Sequence, residues 1–217
     1  MMMKFSDDTL SILKNFSGIN QSILFKPGNT IKTISPQKTV MSAAVIEEDI
    51  SGRAGIYDLS RFLSTLSLFE DPDVDFGDDK FTISSGRRKV DYTYAAENMI
   101  VTPPDKEISL PAIDVSMNVA WSEIQSVIRA AGVLQVGDIA FTGSDGRIVM
   151  AATDSKNPTA DRYEVEVSEY DGTNFDMTIK VENLKLIPAD YEISLSSKGM
   201  SHFKSDRVQY WIAVQSN

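Results

Sequence analysis

One order of elements occurs twice in this sequence, and that repeat limits the fold more than any other feature. Ser22-Ile23-Leu24-Phe25-Lys26-Pro27-Gly28-Asn29-Thr30-Ile31 reads as strand, Pro-Gly turn, strand. Asp138-Ile139-Ala140-Phe141-Thr142-Gly143-Ser144-Asp145-Gly146-Arg147-Ile148 repeats it, 116 positions on at Ser22/Asp138 and 117 at Ile31/Ile148. Arg88-Lys89-Val90-Asp91-Tyr92 is matched by Asp206-Arg207-Val208-Gln209-Tyr210 at a spacing of 118. Each half runs helix, several strands, helix, more strands, so the expected class is α+β with two similar domains. The boundaries expected are 1–96 for the first domain, 97–118 for an extended connector rich in Pro (Thr102-Pro103-Pro104-Asp105, Leu110-Pro111), and 119–217 for the second.

The helices share a bias. Asp7 to Gly18 places Leu10, Leu13 and Phe16, with the neighbouring Ile12, on an apolar face, with Ser6 as cap, Asp7 and Asp8 in the first turn and Gly18 at the end. Asp58 caps a second helix that buries Leu59, Phe62, Leu63 and Leu66 and leaves Ser60, Arg61, Ser64, Thr65 and Ser67 outside. In the second half, Trp121 to Gly132 buries Ile124, Val127 and Ile128, with Ser122 and Gln125 placed as a capping box and Arg129 outside. Ile179 to Pro188 stands where the strand and helix of Ile56 to Leu68 stood, shortened by Pro188. Beyond the first turn of the first helix, the outer helix faces are small, polar and sparsely cationic, in a chain with 21 basic and 31 acidic residues and a net charge of -10. The acid is left to loops and strands.

Composition excludes several functions. Without Cys there is no disulfide, thiol chemistry or Cys-based zinc site, which suits a reducing compartment. No apolar run of signal or membrane-spanning length appears. The acidic run Glu70 to Asp79 lacks the register of a calcium loop and is expected to be a solvated loop before strands at Phe81 to Ile83 and Val90 to Tyr94. His202, the only His, has no catalytic motif around it and is expected on a hairpin surface. No phosphate-cradling loop, nucleophile elbow or metalloprotease helix is present, so neither an enzyme nor a cofactor or metal is expected.

Lys4-Phe5-Ser6, Leu13-Lys14-Asn15-Phe16, Ile19-Asn20 and Ile56-Tyr57-Asp58-Leu59 with Phe62-Leu63 and Leu66-Ser67-Leu68 resemble segments of the sliding clamps of T-even-type bacteriophages, the processivity factors of the phage replicative DNA polymerase. Tyr170-Asp171-Gly172 and the short segment before Pro188 extend the resemblance. It implies a homotrimeric ring of two-domain DNA-clamp subunits, helices lining a central hole and antiparallel sheets outside, placed on duplex DNA by an ATP-dependent clamp loader in the cytoplasm of an infected bacterium. The hole would be lined by Lys4, Lys14, Arg61, Arg129 and Lys185, with Lys180 a further candidate, dispersed cations that hold phosphates without reading sequence. By the same resemblance, Val90, Tyr92 and Tyr94 of one subunit would meet Tyr163, Val165 and Val167 of the next. Val101, Leu110 and Ile113 on the connector, with Tyr210 and Ile212 on the last strand, would receive the polymerase and other partners. The alternative weighed is a structural or assembly protein of a virion, which shares the β content and acidity but does not require cations on the helix faces.

Overall fold

A computed structural model describes residues 2–106 and 108–216. The chain divides into two compact units, Met1–Lys106 and Glu107–Asn217. In the first, β1 (Met2–Met3) leads to α1 (Asp7–Ile19), β2 (Ile23–Phe25), β3 (Gly28–Ile34), β4 (Val40–Ile50) and β5 (Ala54–Ile56). Then come α2 (Leu59–Leu66), β6 (Asp73–Phe76), β7 (Lys80–Ser85) and β8 (Arg88–Thr93). In the second, β9 (Val115–Val119) leads to α3 (Trp121–Leu134), β10 (Asp138–Ser144), β11 (Arg147–Thr153), β12 (Tyr163–Glu169) and β13 (Phe175–Lys180). A 3-10 turn (Val181–Asn183) precedes β14 (Tyr191–Ser196), β15 (Met200–Lys204), β16 (Val208–Ala213) and β17 (Gln215–Ser216). Part of the expected connector is ordered structure: Glu97–Met99 forms a 3-10 turn, and Val115 opens a strand of the second unit.

The repeat recurs in the strand pairing. In the first unit the sheet order is β1-β6-β7-β8, while β2 pairs with β5 and β3 with β4. In the second, β9-β14-β15-β16 run side by side, β10 pairs with β13 and β11 with β12. Each partner in the second unit is the strand eight places later, and the ladders given are all antiparallel. Two departures mark where the copies diverge. β10 and β11 form a hairpin, closed by Asp145 and Gly146 at φ 52° and 82°, as a two-residue type I′ turn requires. β2 and β3 make no such ladder: Pro27 between them has no N–H to donate, and each strand pairs elsewhere. The second departure is the 3-10 turn that replaces α2. It stops at Asn183, short of Pro188, and the αR conformation is disfavoured for Ile187 before that proline, so little chain remains for a helix.

Burial follows side-chain periodicity. α1 buries Thr9, Ile12, Leu13, Phe16 and Ile19 against α2, β3 and β4. The first core is aromatic, with Phe81 at 5.0 Å from Phe62, 4.8 Å from Phe76 and 4.6 Å from Tyr94, drawing α2, β6, β7 and the end of β8 together. Phe76 corrects the loop expected over 70–79, because Asp73-Val74-Asp75-Phe76 alternates and forms β6, with Val74 fully buried. The second unit packs Ile124, Val127 and Ala131 of α3 over β10, β11 and β12, with Phe141 and Met150 inside. Tyr191, Phe203 and Tyr210 fill the inner face of the other sheet. His202 is not a free surface residue. It lies half-buried on β15, stacked on Trp211 at 4.8 Å with Nε2 2.9 Å from the Gln209 Oε1, and burial pulls its pKa down.

Candidate nucleic-acid interface

Each helix is set by a local cap. The Ser6 Oγ accepts from the Thr9 N–H at 3.2 Å, and the Glu48 carboxylate accepts from the Ser6 N–H and, at 2.5 Å, from the Thr9 hydroxyl. The Asp58 Oδ1 accepts from the Arg61 N–H at 2.9 Å. Over α3 the cap differs from the expected Ser122/Gln125 box: the Asp190 Oδ1 accepts from the Trp121 N–H at 2.8 Å, and the Glu123 carboxylate reaches back to the Ala120 N–H. α1 ends one residue past Gly18, at Ile19, where Asn20 caps it and donates to the Ile34 carbonyl at 2.8 Å.

These caps fix which side chains face outward. Ser11 and Lys14 of α1, Ser60, Arg61 and Ser64 of α2, and Ser122, Gln125 and Arg129 of α3 are exposed. Where α1 and α2 lie side by side, a groove of about 730 Å³ runs between them, lined by Leu10, Lys14, Ser17, Ser60, Leu63 and Ser64 among others. Among the described residues, Lys14, Arg61 and Arg129 have no ion-pair partner. The hydroxyls around them donate to their own helices: Ser17 to the Lys14 carbonyl at 2.7 Å, Ser64 to Ser60 at 2.9 Å, Thr65 to Arg61 at 2.8 Å and Ser126 to Glu123 at 2.8 Å. The result is a surface with unpaired cationic charge in which four of the neighbouring hydroxyls are turned back on their own helices.

The other expected lining residues are placed differently. Lys4 precedes α1 and is paired with Asp71, which raises its pKa and compensates its charge. Lys185 follows the 3-10 turn and lies on no helix, though it is exposed. Lys180 is engaged with the buried Asp138 at 2.5 Å. Burial alone would raise the Asp138 carboxyl, but Lys180 with the Ser155 hydroxyl and N–H holds it below the ordinary carboxylate range. Asp71 is the residue that sequence reasoning missed, since a partner 67 positions from Lys4 leaves no local signal.

Two expected partner-binding residues are core residues instead. Tyr210 and Ile212 are fully buried, and the Tyr210 hydroxyl accepts from the Ile187 N–H at 3.1 Å, so neither presents its side chain to solvent. Val101 is 44% and Ile113 63% exposed, and Leu110 is half-buried. Val90, Tyr92 and Tyr94 follow a strand edge but turn inward: Tyr92 packs on Phe62 at 5.3 Å and donates to the Asp58 carbonyl at 3.1 Å, and Tyr94 donates to the Gly77 carbonyl at 3.2 Å. Burial, with Asp75 and Asp79 nearby, pushes the Tyr94 hydroxyl up to about 12. Tyr163 is 41% exposed on β12, with Val165 and Val167 half-buried. Both β8 and β12 end their sheets, each with one ladder partner among the described residues.

Comparison with known proteins matches residues 6–102 to a family described as DNA polymerase processivity factor, and residues 116–216 to the C-terminal family of the gp45 sliding clamp. The chain is 32% identical to a sliding clamp of Escherichia phage RB69, over 99% of this chain and 98% of that one. It is 30% identical to the sliding clamp of Enterobacteria phage T4, again over 99% and 98%. Among solved structures it superposes on the PCNA of A. fulgidus bound to the C-terminal region of FEN-1, with a TM-score of 0.73 at 13% identity, covering 100% of this chain and 98% of that one. The Helicobacter pylori beta clamp bound to a DNA ligase peptide gives 0.73 at 13% identity, over 100% and 66%. At such identities the structural likeness speaks for the fold alone.

Proposed function

The chain belongs to the sliding clamps, the processivity factors of DNA polymerase, and on that premise we propose how its own residues do that work. Three copies close into a ring around duplex DNA, opened and closed by an ATP-dependent loader, and the ring tethers the replicative polymerase in an infected bacterium. The chain itself makes and breaks no covalent bond. A virion structural role draws no support, because the relatives over the full length are sliding clamps.

The observation that carries the reading is the character of the helix faces. Lys14, Arg61 and Arg129 are exposed and unpaired among the described residues, while the hydroxyls of Ser17, Ser64, Thr65 and Ser126 near them are occupied by their own backbone. A cation attracts phosphate from any direction and at some distance, whereas a hydroxyl donor singles out one oxygen. A surface of the first kind holds DNA in the hole without fixing its register, as sliding demands. Lys4 and Lys180 contribute little, since Asp71 and Asp138 already hold them. Lys185 is a weaker candidate off the helices. Polymerase and other partners dock on the exposed apolar connector residues Val101 and Ile113, with Leu110 beside the latter. The ring closes by pairing the β8 edge of one copy with the β12 edge of the next.

Light scattering over a dilution series tests the assembly. A species near 72 kDa, three times the 24.0 kDa chain, that dissociates on dilution and stimulates its polymerase on primed circular DNA is the expected result. A 24.0 kDa species at every concentration, with no stimulation, would refute it.

A further inference from the structure

The groove between α1 and α2 has a polarity of its own. The two helices run antiparallel: the Leu59 N–H at the start of α2 donates to the Gln21 carbonyl just past α1 at 2.8 Å, and at the other end Asp71, past α2, holds Lys4, before α1. At about 730 Å³ the space between them falls within the roughly 300–1,000 Å³ of sites that enclose small molecules. The end at the start of α1 is apolar, lined by Phe5, Leu66, Phe69 and Val74, and Leu10 and Leu63 continue the apolar wall from the two helices. Phe5, Leu10, Leu63 and Phe69 are only half-buried, so this wall is open to whatever enters. The far end holds Lys14, Ser17 and Ser60. Serine donors along the groove are already used: Ser17 on the Lys14 carbonyl at 2.7 Å, Ser64 on that of Ser60 at 2.9 Å and Ser67 on that of Ser64 at 2.8 Å. The groove therefore offers an apolar wall and, at one end, an ammonium without an ion-pair partner among the described residues. Its two carboxylates, Asp7 and Asp71, stand at the opposite end from Lys14, and Asp71 is answered by Lys4.

From this we infer that the groove binds a small amphipathic anion, a medium-chain carboxylate, with its head on Lys14 and its apolar body against Leu10, Leu63 and Phe69. Charge sets the direction of binding. A reversed ligand would lay its head beside Asp7 and Asp71, which repel it, and would leave Lys14 unanswered. Lys14 lies seven residues beyond Asp7, about 10.5 Å along the helix at about 1.5 Å per residue, so an apolar body of about that length covers the wall. An apolar molecule alone gives Lys14 no partner, and a bare anion leaves the apolar wall in water, so the site favours a ligand with both parts. The carboxylate and a DNA phosphate would use the same ammonium. Occupancy of the groove thus takes Lys14 from the duplex, and this last step alone rests on the DNA reading proposed above.

Isothermal titration of decanoate, below its micellar concentration, into the full-length protein without DNA tests the site. The parent should bind it saturably, one per chain. Leu63→Gln, which makes the wall polar, and Ser64→Leu, which fills the groove, should each weaken binding about tenfold. Leu63 is half-buried and Ser64 exposed, so urea midpoints near the parent's should show that the site is lost and the fold is not. Lys14→Ala should also weaken decanoate about tenfold. By anisotropy of a labelled duplex, saturating decanoate should lower the DNA affinity of the parent and leave that of Lys14→Ala unchanged. Absence of saturable binding to the parent, or binding that survives both groove variants, would overturn the proposal. Equal displacement of duplex from the parent and from Lys14→Ala would overturn it as well, since the head would then lie away from Lys14. Decanoate binding that both groove variants lose, in a protein without affinity for duplex, would support the groove site and overturn the DNA reading.

Discussion

Lys4 and Lys14 sit ten positions apart at the start of the chain, and they are predicted to behave oppositely toward DNA. Lys14 stands exposed on α1 without an ion-pair partner, while Lys4 is held by Asp71. Each cation that neutralises a phosphate of B-DNA contributes about 0.9 to the slope of log affinity against log salt, so Lys14→Ala should flatten that slope by about 0.9 if one copy contacts the backbone at a time and about 2.7 if three do. Between about 50 and 200 mM salt the larger figure corresponds to roughly a 40-fold smaller loss of affinity. Lys4→Ala should leave the slope unchanged, since Lys4 is occupied by Asp71 and neutralises no phosphate in the parent. Asp71→Ala should steepen the slope by unmasking Lys4. The assay is fluorescence anisotropy of a labelled linear duplex titrated with each variant at several salt concentrations, at protein concentrations where the parent is fully assembled. Equal flattening by Lys4→Ala and Lys14→Ala would refute the reasoning that compensation by Asp71 removes Lys4 from the contact.

Three further outcomes are expected. Asp138→Asn should cost about 2 kcal/mol of unfolding free energy at neutral pH, since it leaves Lys180, two-thirds buried, without its partner. The parent's advantage is complete above the ordinary Asp pKa of about 3.9 and disappears as pH falls through the depressed native value, so urea midpoints of parent and variant should converge in acid. Gly143→Ala should lower the melting temperature by several degrees, because a Cβ there would stand 2.2 Å from the Phe175 Cε1 and 2.9 Å from the Tyr170 Cε1; an unchanged melt would show that both rings move aside freely. Tyr210→Ala should destabilise the second unit by about 3–5 kcal/mol in urea titrations, whereas Ile113→Ser should change stability by less than about 0.5 kcal/mol and weaken polymerase binding, and the reverse pattern would place the docking surface on the last strand after all.

What could be read without coordinates was local or periodic. Ser6 and Asp58 cap their helices by bonds three residues long, and the outward positions of Lys14, Arg61 and Arg129 follow from the helical repeat. The repeat near 117 positions predicted the duplicated order of strands, and the strand, turn and strand around Pro27-Gly28 are present, though the sequence alone does not say where β2 and β3 find their ladder partners. The burial of Tyr210 and Ile212 was available in principle: with Val208 they alternate along β16, the signature of an inward face. The same alternation in Asp73-Val74-Asp75-Phe76 was hidden by the count of carboxylates. Compensation of Lys4 by Asp71 and of Lys180 by Asp138 was not available, because ion pairs across 67 and 42 positions depend on the fold that brings them together.

The open edges of β8 and β12 also bear on what happens to a copy that is not in a ring. An uncovered strand edge is a template for stacking, and a chain with two of them could in principle extend into a fibre. Here each edge carries charges of one predominant sign, and the whole chain carries -10. Two β8 edges meeting would bring cations together and two β12 edges carboxylates, so these like-edge contacts of a lone subunit are opposed by the side chains that flank its sticky backbone. Solubility in the dissociated state is therefore a property of Arg87 to Lys89 and Glu164 to Glu169 as much as of the surface at large, and a variant neutral at both edges should precipitate on dilution or storage before it loses its fold.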